Sequence, residues 1–244
     1  MAKPRHLKNA PITEAIIDLR VQPAHTASAN VGPTLTDRLG ERYAFKGPLR
    51  IGQINFNPEF EPTVATQMAG FRFHSAGEKF VAQFQQQGFT LSRLAPYTSW
   101  EELTGELRRL WPIYLEVLQP QAIHHVACRY INNLALPMRD GQDFGDFLTK
   151  SPQVPSALPQ SLNGFMQRVM IAYPDAVTVL TQLFEPGPTM SLDKVPVLLD
   201  IDVRCPKLLE PHSLDLWPCL ERLRGLKNDA FFESITERAA ELYA

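Results

Sequence analysis

The sequence predicts an α+β protein: a mainly antiparallel sheet covered by helices on one face. Three observations predict it. Several segments alternate apolar and polar residues, the period of a half-buried strand. Two other segments repeat apolar residues every three or four positions, the period of an amphipathic helix. The order of these segments also runs twice through β-α-link-β-β-β-α. Residues 11–120 and 121–244 therefore read as two tandem halves of one packed unit, behind an N-terminal tail at residues 1–10.

Pro11 to Val21 places Ala15, Ile17, Leu19 and Val21 on one face of a strand. Glu14, Asp18 and Arg20 fall on the other, beside Ile12 and Ile16. A short helix from Thr13 competes, but β-branched Ile16-Ile17 and the closing Pro23 favour a strand. Thr34 to Ala44 predicts a short helix, with Thr36 as a possible cap and Gly40 weakening it. Leu49 to Phe56 reads as a short strand or an irregular link. Strands follow over Gly70–Ser75, Lys79–Gln87 and Phe89–Leu94. Ser99-Trp100-Glu101-Glu102 is a capping box, in which the Ser and Glu side chains satisfy each other's free backbone N–H. The helix it opens carries Leu103, Leu107, Leu110, Tyr114 and Leu118 on one face, should kink at Pro112 and ends at Pro120.

The second half opens on a long strand, Ile123 to Leu136. Asp140 to Lys150 is a short helical or loop segment, and the prolines of Ser151–Pro159 mark a linker. Strands are predicted over Gly164–Tyr173, Ala176–Phe184 and Val195–Arg204, with a tight turn at Pro174-Asp175. The chain from Ser213 is helical. Its last part, from about Asn228, presents Phe231, Phe232, Ile235, Ala239 and Leu242 on one face. Both three-strand blocks begin with Gly-Phe (Gly70-Phe71, Gly164-Phe165), and both closing helices contain Trp-Pro (Trp111-Pro112, Trp217-Pro218). The repeat lies in element order, not in sequence identity. Two such halves could join edge to edge or pack face to face, with a ligand-sized groove at the junction in either case.

Composition narrows the function classes. The 244 residues are 44% hydrophobic and 20% charged, close to the globular average, so a packed core is expected. With 24 basic and 26 acidic residues the chain lacks the basic excess that nucleic-acid binding calls for. The basic residues Lys3, Arg5, His6 and Lys8 read as a solvated tail, not a secretory signal. No apolar run approaches the roughly 20 residues needed to cross a bilayer, and a cytoplasmic protein is expected. Three cysteines, Cys128, Cys205 and Cys219, form no C-x-x-C pair and read as buried thiols, not a disulfide framework or zinc site.

Three polar places on strands stand out as binding candidates. The first is the Glu14, Asp18 and Arg20 face. The second is Arg129-Tyr130-Ile131-Asn132-Asn133, where Arg129 and Asn133 share one face and Tyr130 and Asn132 the other. Asparagine is depleted in strand interiors, so a bulge, a strand end or a polar pocket is expected there. The third is Asp200 and Asp202 with Arg204; the two carboxylates share a face roughly 6–7 Å apart. That spacing suits a metal-dependent nucleotide enzyme, but no phosphate loop accompanies it, and ion pairing within a solvated face reads better. Adjacent His124 and His125 point to opposite faces of a strand and cannot readily share a metal. No catalytic, cofactor or metal motif is found, and the reading leans away from an enzyme.

Three segments spanning most of the chain carry a resemblance: Ala10-Pro11-Ile12-Thr13-Glu14-Ala15-Ile16-Ile17-Asp18-Leu19-Arg20, Arg129-Tyr130-Ile131-Asn132, and Phe232-Glu233-Ser234-Ile235-Thr236-Glu237. As a set they resemble a sporadically distributed, uncharacterised prokaryotic protein family of about this length. Cys128 departs from it, standing where glycine or another small residue is expected. The resemblance implies carriage on accessory or defence-type gene islands. It implies no activity and no catalytic residues. The expected function is therefore a non-catalytic ligand-binding or protein-interaction protein, with a protein partner, a second copy or a small molecule as its target. A metal-dependent enzyme using Asp200 and Asp202, and a structural subunit of a larger assembly, are the competing readings.

Overall fold

The computed structural model describes residues 1–24, 30–55, 63–138, 143–186 and 194–244. Nine strands form one sheet: β1 (Ile12–Gln22), β2 (Tyr43–Asn55), β3 (Thr63–Ser75), β4 (Phe80–Gln85), β5 (Gly88–Leu94), β6 (Ala122–Leu136), β7 (Phe165–Ala172), β8 (Val177–Phe184) and β9 (Val195–Cys205). Their order is β2-β3-β4-β5-β1-β6-β9-β8-β7, and every neighbouring pair is antiparallel. Among the described residues four helices accompany it: α1 (Val31–Leu39), α2 (Trp100–Leu118), α3 (Leu216–Ser234) and α4 (Glu237–Glu241).

The alternation seen in the sequence sets the sheet's two faces. Ala15, Ile17, Leu19 and Val21 of β1 are buried, as are Val197, Leu199, Ile201 and Val203 of β9. On α2, Leu103, Leu107, Leu110 and Tyr114 are buried, with Leu118 only partly so. The Tyr114 ring stacks on Phe84 of β4 and tilts against Phe89 of β5, and its hydroxyl donates to the Gln85 carbonyl at 3.0 Å. The buried row Leu216, Leu220 and Leu223 belongs to α3, which lies against β6 and β9. β1 pairs with β6 from Ile12↔Asn132 to Gln22↔Ala122, so residues on either side of position 120 share one sheet, joined edge to edge.

Several expectations need correction. The segment read as a short strand or link from Leu49 is the thirteen-residue β2, zipped to β3 from Tyr43↔Ser75 to Asn55↔Thr63. β3 starts at Thr63, not Gly70, and pairs with β4 only over Gly70–His74. The predicted helix over Thr34–Ala44 is displaced. It begins at Val31 and ends at Gly40, whose φ of 57° suits a residue without Cβ, and Tyr43 already opens β2. Thr36 does not cap it; its hydroxyl donates to the Gly32 carbonyl inside the helix. The helical option within Asp140–Lys150 reduces to one 3-10 turn, Phe144–Asp146. Residues 139–142, Phe56 and His25 lie outside the described residues.

Only half of the predicted capping box forms. Ser99 accepts the Glu102 N–H at 3.1 Å, while the Glu102 carboxylate turns to the fully buried Arg93. α2 runs through Pro112 to Leu118 without interruption. The C-terminal helix stops at Ser234. Ile235 makes an isolated bridge to Leu148, and Leu242 is exposed, not on the apolar face. The N-terminal residues are not a free tail. Ala2 and Leu7 are buried, the Ala2 N–H meets the carbonyls of Phe232 and Ile235, and Arg5 pairs with Glu237 at 2.5 Å.

Gly70 shows why glycine opens the inner part of β3. A Cβ there would lie 2.2 Å from the Phe84 carbonyl oxygen, so no larger residue fits this approach to β4. No described helix is long and apolar enough to cross a membrane.

Candidate functional site

The ten candidate residues separate onto the two faces of the sheet. Asp18, Arg20, Arg129, Asp202 and Arg204 gather in an open trough of about 460 Å³ with Thr90 and His125. Its charges are already matched. Asp18 accepts from Arg20 Nε at 2.7 Å and from the Thr90 hydroxyl at 2.6 Å. Arg129 grips Asp200 with two bonds, 2.8 and 2.6 Å. Arg204 holds Asp202 through Nε at 2.7 Å and Nη2 at 2.5 Å. The Asp18–Arg20 and Asp202–Arg204 pairs each run along one strand, whereas Arg129–Asp200 crosses from β6 to β9. These arginines stay near half exposed, so each pair adds little stability. Glu14 lies on the same face, opposite Ile131, and Asn133 is exposed beyond it.

Guanidinium groups engage both oxygens of Asp200 and Oδ2 of Asp202. Among the described residues no group of three or more His, Cys, Asp or Glu side chains is arranged to hold a metal.

Tyr130 and Asn132 point the other way, into a cavity of about 370 Å³. Four pieces of chain line it: the N-terminal segment with Ala10, Pro11 and Ile12; Tyr97 to Glu101 at the start of α2; the middle of β6; and the α3 face bearing Arg224, Lys227, Phe231 and Phe232. Both β6 residues are held firmly. Asn132 donates from Nδ2 to the carbonyls of Leu199 at 2.9 Å and Tyr130 at 3.3 Å. Tyr130 shares a hydroxyl–hydroxyl bond of 3.0 Å with Tyr97, ring edge against ring face. A register shift in the β1–β6 ladder falls beside Asn132, so the Asn-Asn signal marks an irregularity and a polar pocket together.

Lys227 is the exceptional group. Its ammonium sits 3.9 Å from the centre of the Tyr130 ring and donates to Asn228 Oδ1 at 2.6 Å. Among the described residues no carboxylate forms an ion pair with it, whereas neighbouring Arg224 pairs with Glu101 and Glu221. Burial lowers the Lys227 pKa to about 8, and the positive charge of Arg224 pushes the same way. Burial raises the Tyr97 pKa to about 12 and that of Tyr130 well above its ordinary value, so both hydroxyls remain protonated donors. Cys128, which faces the same helix, is likewise raised to about 12 and is an inert thiol. Trp100 closes one side, its indole N–H donating to Glu221 and its ring under Arg224.

Sequence reading did not find Lys227, Tyr97 or Trp100 as site residues. One signal for Lys227 was there. It follows Leu223 by four positions and precedes Phe231 by four, placing a charge within the apolar row of α3.

No protein-family model and no curated protein matches the chain in sequence.

Proposed function

We propose that this protein binds a small carboxylate with an apolar, planar body in the cavity between Tyr130 and Lys227. The carrying observation is the part-buried Lys227 ammonium, which has no carboxylate partner among the described residues. Burying an unpaired charge is costly, and an anion entering the cavity would relieve that cost. Tyr97, Tyr130, Trp100 and Phe231 supply apolar walls, and about 370 Å³ is room for a small molecule.

Two further readings belong to this proposal. Residues 11–120 and 121–244 are tandem halves meeting at β1 and β6. In support, β5 answers β9, β4 answers β8 and β3 answers β7 about that pair, with β2 alone lacking a counterpart, and a long helix follows each set. The chain belongs to the sporadically distributed prokaryotic family it resembles, acting in the cytoplasm as a binding protein. In support, all three resembling segments reach the cavity, through Ala10, Pro11 and Ile12, through Tyr130 and Asn132, and through Phe232.

Phenyllactate tests the site, with 3-phenyl-1,2-propanediol as its uncharged counterpart. The acid should raise the melting temperature by roughly 5–10 °C at about 100 times its Kd, and the diol should not. Lys227→Met should abolish the response. Equal responses to acid and diol, or none to either, would defeat the reading.

A further inference from the structure

We propose that Lys227 captures a 2-oxo acid as an imine, so that the ligand of this cavity is a keto acid and its binding is reversible and covalent. This inference rests on the cavity being a carboxylate site.

The geometry gives three reasons. Lys227 lines the cavity and, among the described residues, forms no ion pair, so its nitrogen can approach a carbonyl carbon. Among the described residues its hydrogen-bond partner is the side-chain oxygen of Asn228, an acceptor that takes one N–H, while the Tyr130 ring lies on another side of the nitrogen. The Tyr97–Tyr130 hydroxyl pair also lines this cavity and can hydrogen-bond the carbonyl oxygen as negative charge builds on it. Because burial lowers the amine's pKa to about 8, roughly a quarter of it is free base at pH 7.5. An exposed lysine would present about a thousandth.

The chemistry closes without a co-reactant. The nitrogen lone pair adds to the 2-oxo carbon, and the carbonyl π pair moves to oxygen. The two amine hydrogens pass to that oxygen, which leaves as water while the C=N bond forms. Nothing is oxidised or reduced. A protonated imine carries positive charge at the former amine position, and the adjacent carboxylate of a 2-oxo acid neutralises it within the same molecule. A simple aldehyde or ketone lacks that compensation, so the observations favour the keto acid.

Reductive trapping tests this on the full-length protein. With phenylpyruvate and sodium cyanoborohydride at pH 7.5, the wild type should gain one adduct equal in mass to the keto acid less one oxygen. Peptide mapping should place it on Lys227, at least about tenfold above any other lysine, as the free-base fractions imply. Lys227→Arg removes the nucleophile and should lose the adduct, while the phenyllactate response is read on the wild type. Labelling scattered over surface lysines, or equal labelling of wild type and Lys227→Arg, overturns the imine. If phenyllactate stabilises the wild type and Lys227 remains unlabelled, the carboxylate site stands and the imine falls. If phenyllactate has no effect and no adduct forms, both fall.

Discussion

Lys227 makes its own prediction through pH. Its pKa is lowered from 10.5 in the unfolded chain to about 8 in the fold. Below pH 8 both states are protonated and the cost of burying the charge is fully present. Between pH 8 and 10.5 the folded state has shed the proton while the unfolded state keeps it, so stability rises with pH across that window. Lys227→Met removes the cost altogether. It should stabilise the protein at pH 7 by about 2 kcal/mol, or roughly 4–8 °C, and the gain should shrink above pH 8. Melting curves at pH 7 and 9.5 would show this; a destabilised Met variant would mean that the ammonium already has a partner. At this scale the sequence was legible where charges were adjacent in pattern, as at Asp18-x-Arg20 and Asp202-x-Arg204. At the cavity it pointed to Tyr130 and Asn132 but not to Lys227 or Tyr97, which come from distant segments and meet β6 only through how α3 lies across it.

Whether an element was legible depended on what buries it. β1, β4 and β9 bury one face, so their alternation is clean and their positions could be read off the chain. β2 is an edge strand with its outer residues exposed, broken by register shifts near Gly47 and Arg50, so no period survives in its sequence. The stop of α3 at Ser234 was hidden for another reason. Ile235 is apolar and in phase with the helix, yet it leaves the helix to bridge Leu148, a tertiary contact that local pattern does not contain. The element that most clearly follows its own sequence is α2, and its face carries a stability prediction. Leu107 is fully buried, and Leu107→Ala should cost about 2–5 kcal/mol in urea unfolding. The same truncation at the partly exposed Leu118 should cost less, because less apolar area returns to water. Equal losses at both positions would contradict this placement of α2.

The whole molecule turns on how the segments before and after residue 120 are joined. Sequence order suggested two units but left edge-to-edge and face-to-face assembly open, because alternation specifies which face is buried and not which strand is the neighbour. The long antiparallel pairing of β1 with β6 places the junction at the centre of one sheet. Side chains bridge the same junction above it. The Trp111 indole N–H donates to the Pro211 carbonyl at 3.2 Å, the Arg108 guanidinium stacks 3.6 Å above the Trp217 ring, and Trp100 donates to Glu221. The N-terminal segment adds a further tie, with Arg5 on Glu237 and the Asn9 N–H on the Tyr243 carbonyl. Separating the two parts would expose the central strands' backbone donors and break the Trp111–Pro211 and Arg108–Trp217 contacts at once, so neither part should hold its fold without the other. Equilibrium unfolding should therefore be a single transition. Tryptophan reporters can check it. Retaining only Trp111, or only Trp217, by replacing the other tryptophans with Phe should give urea midpoints that coincide with each other and with far-ultraviolet circular dichroism of the same variant. Two separated midpoints would show that the parts fold independently, and would remove the mechanical reason for a ligand cavity to sit where they meet.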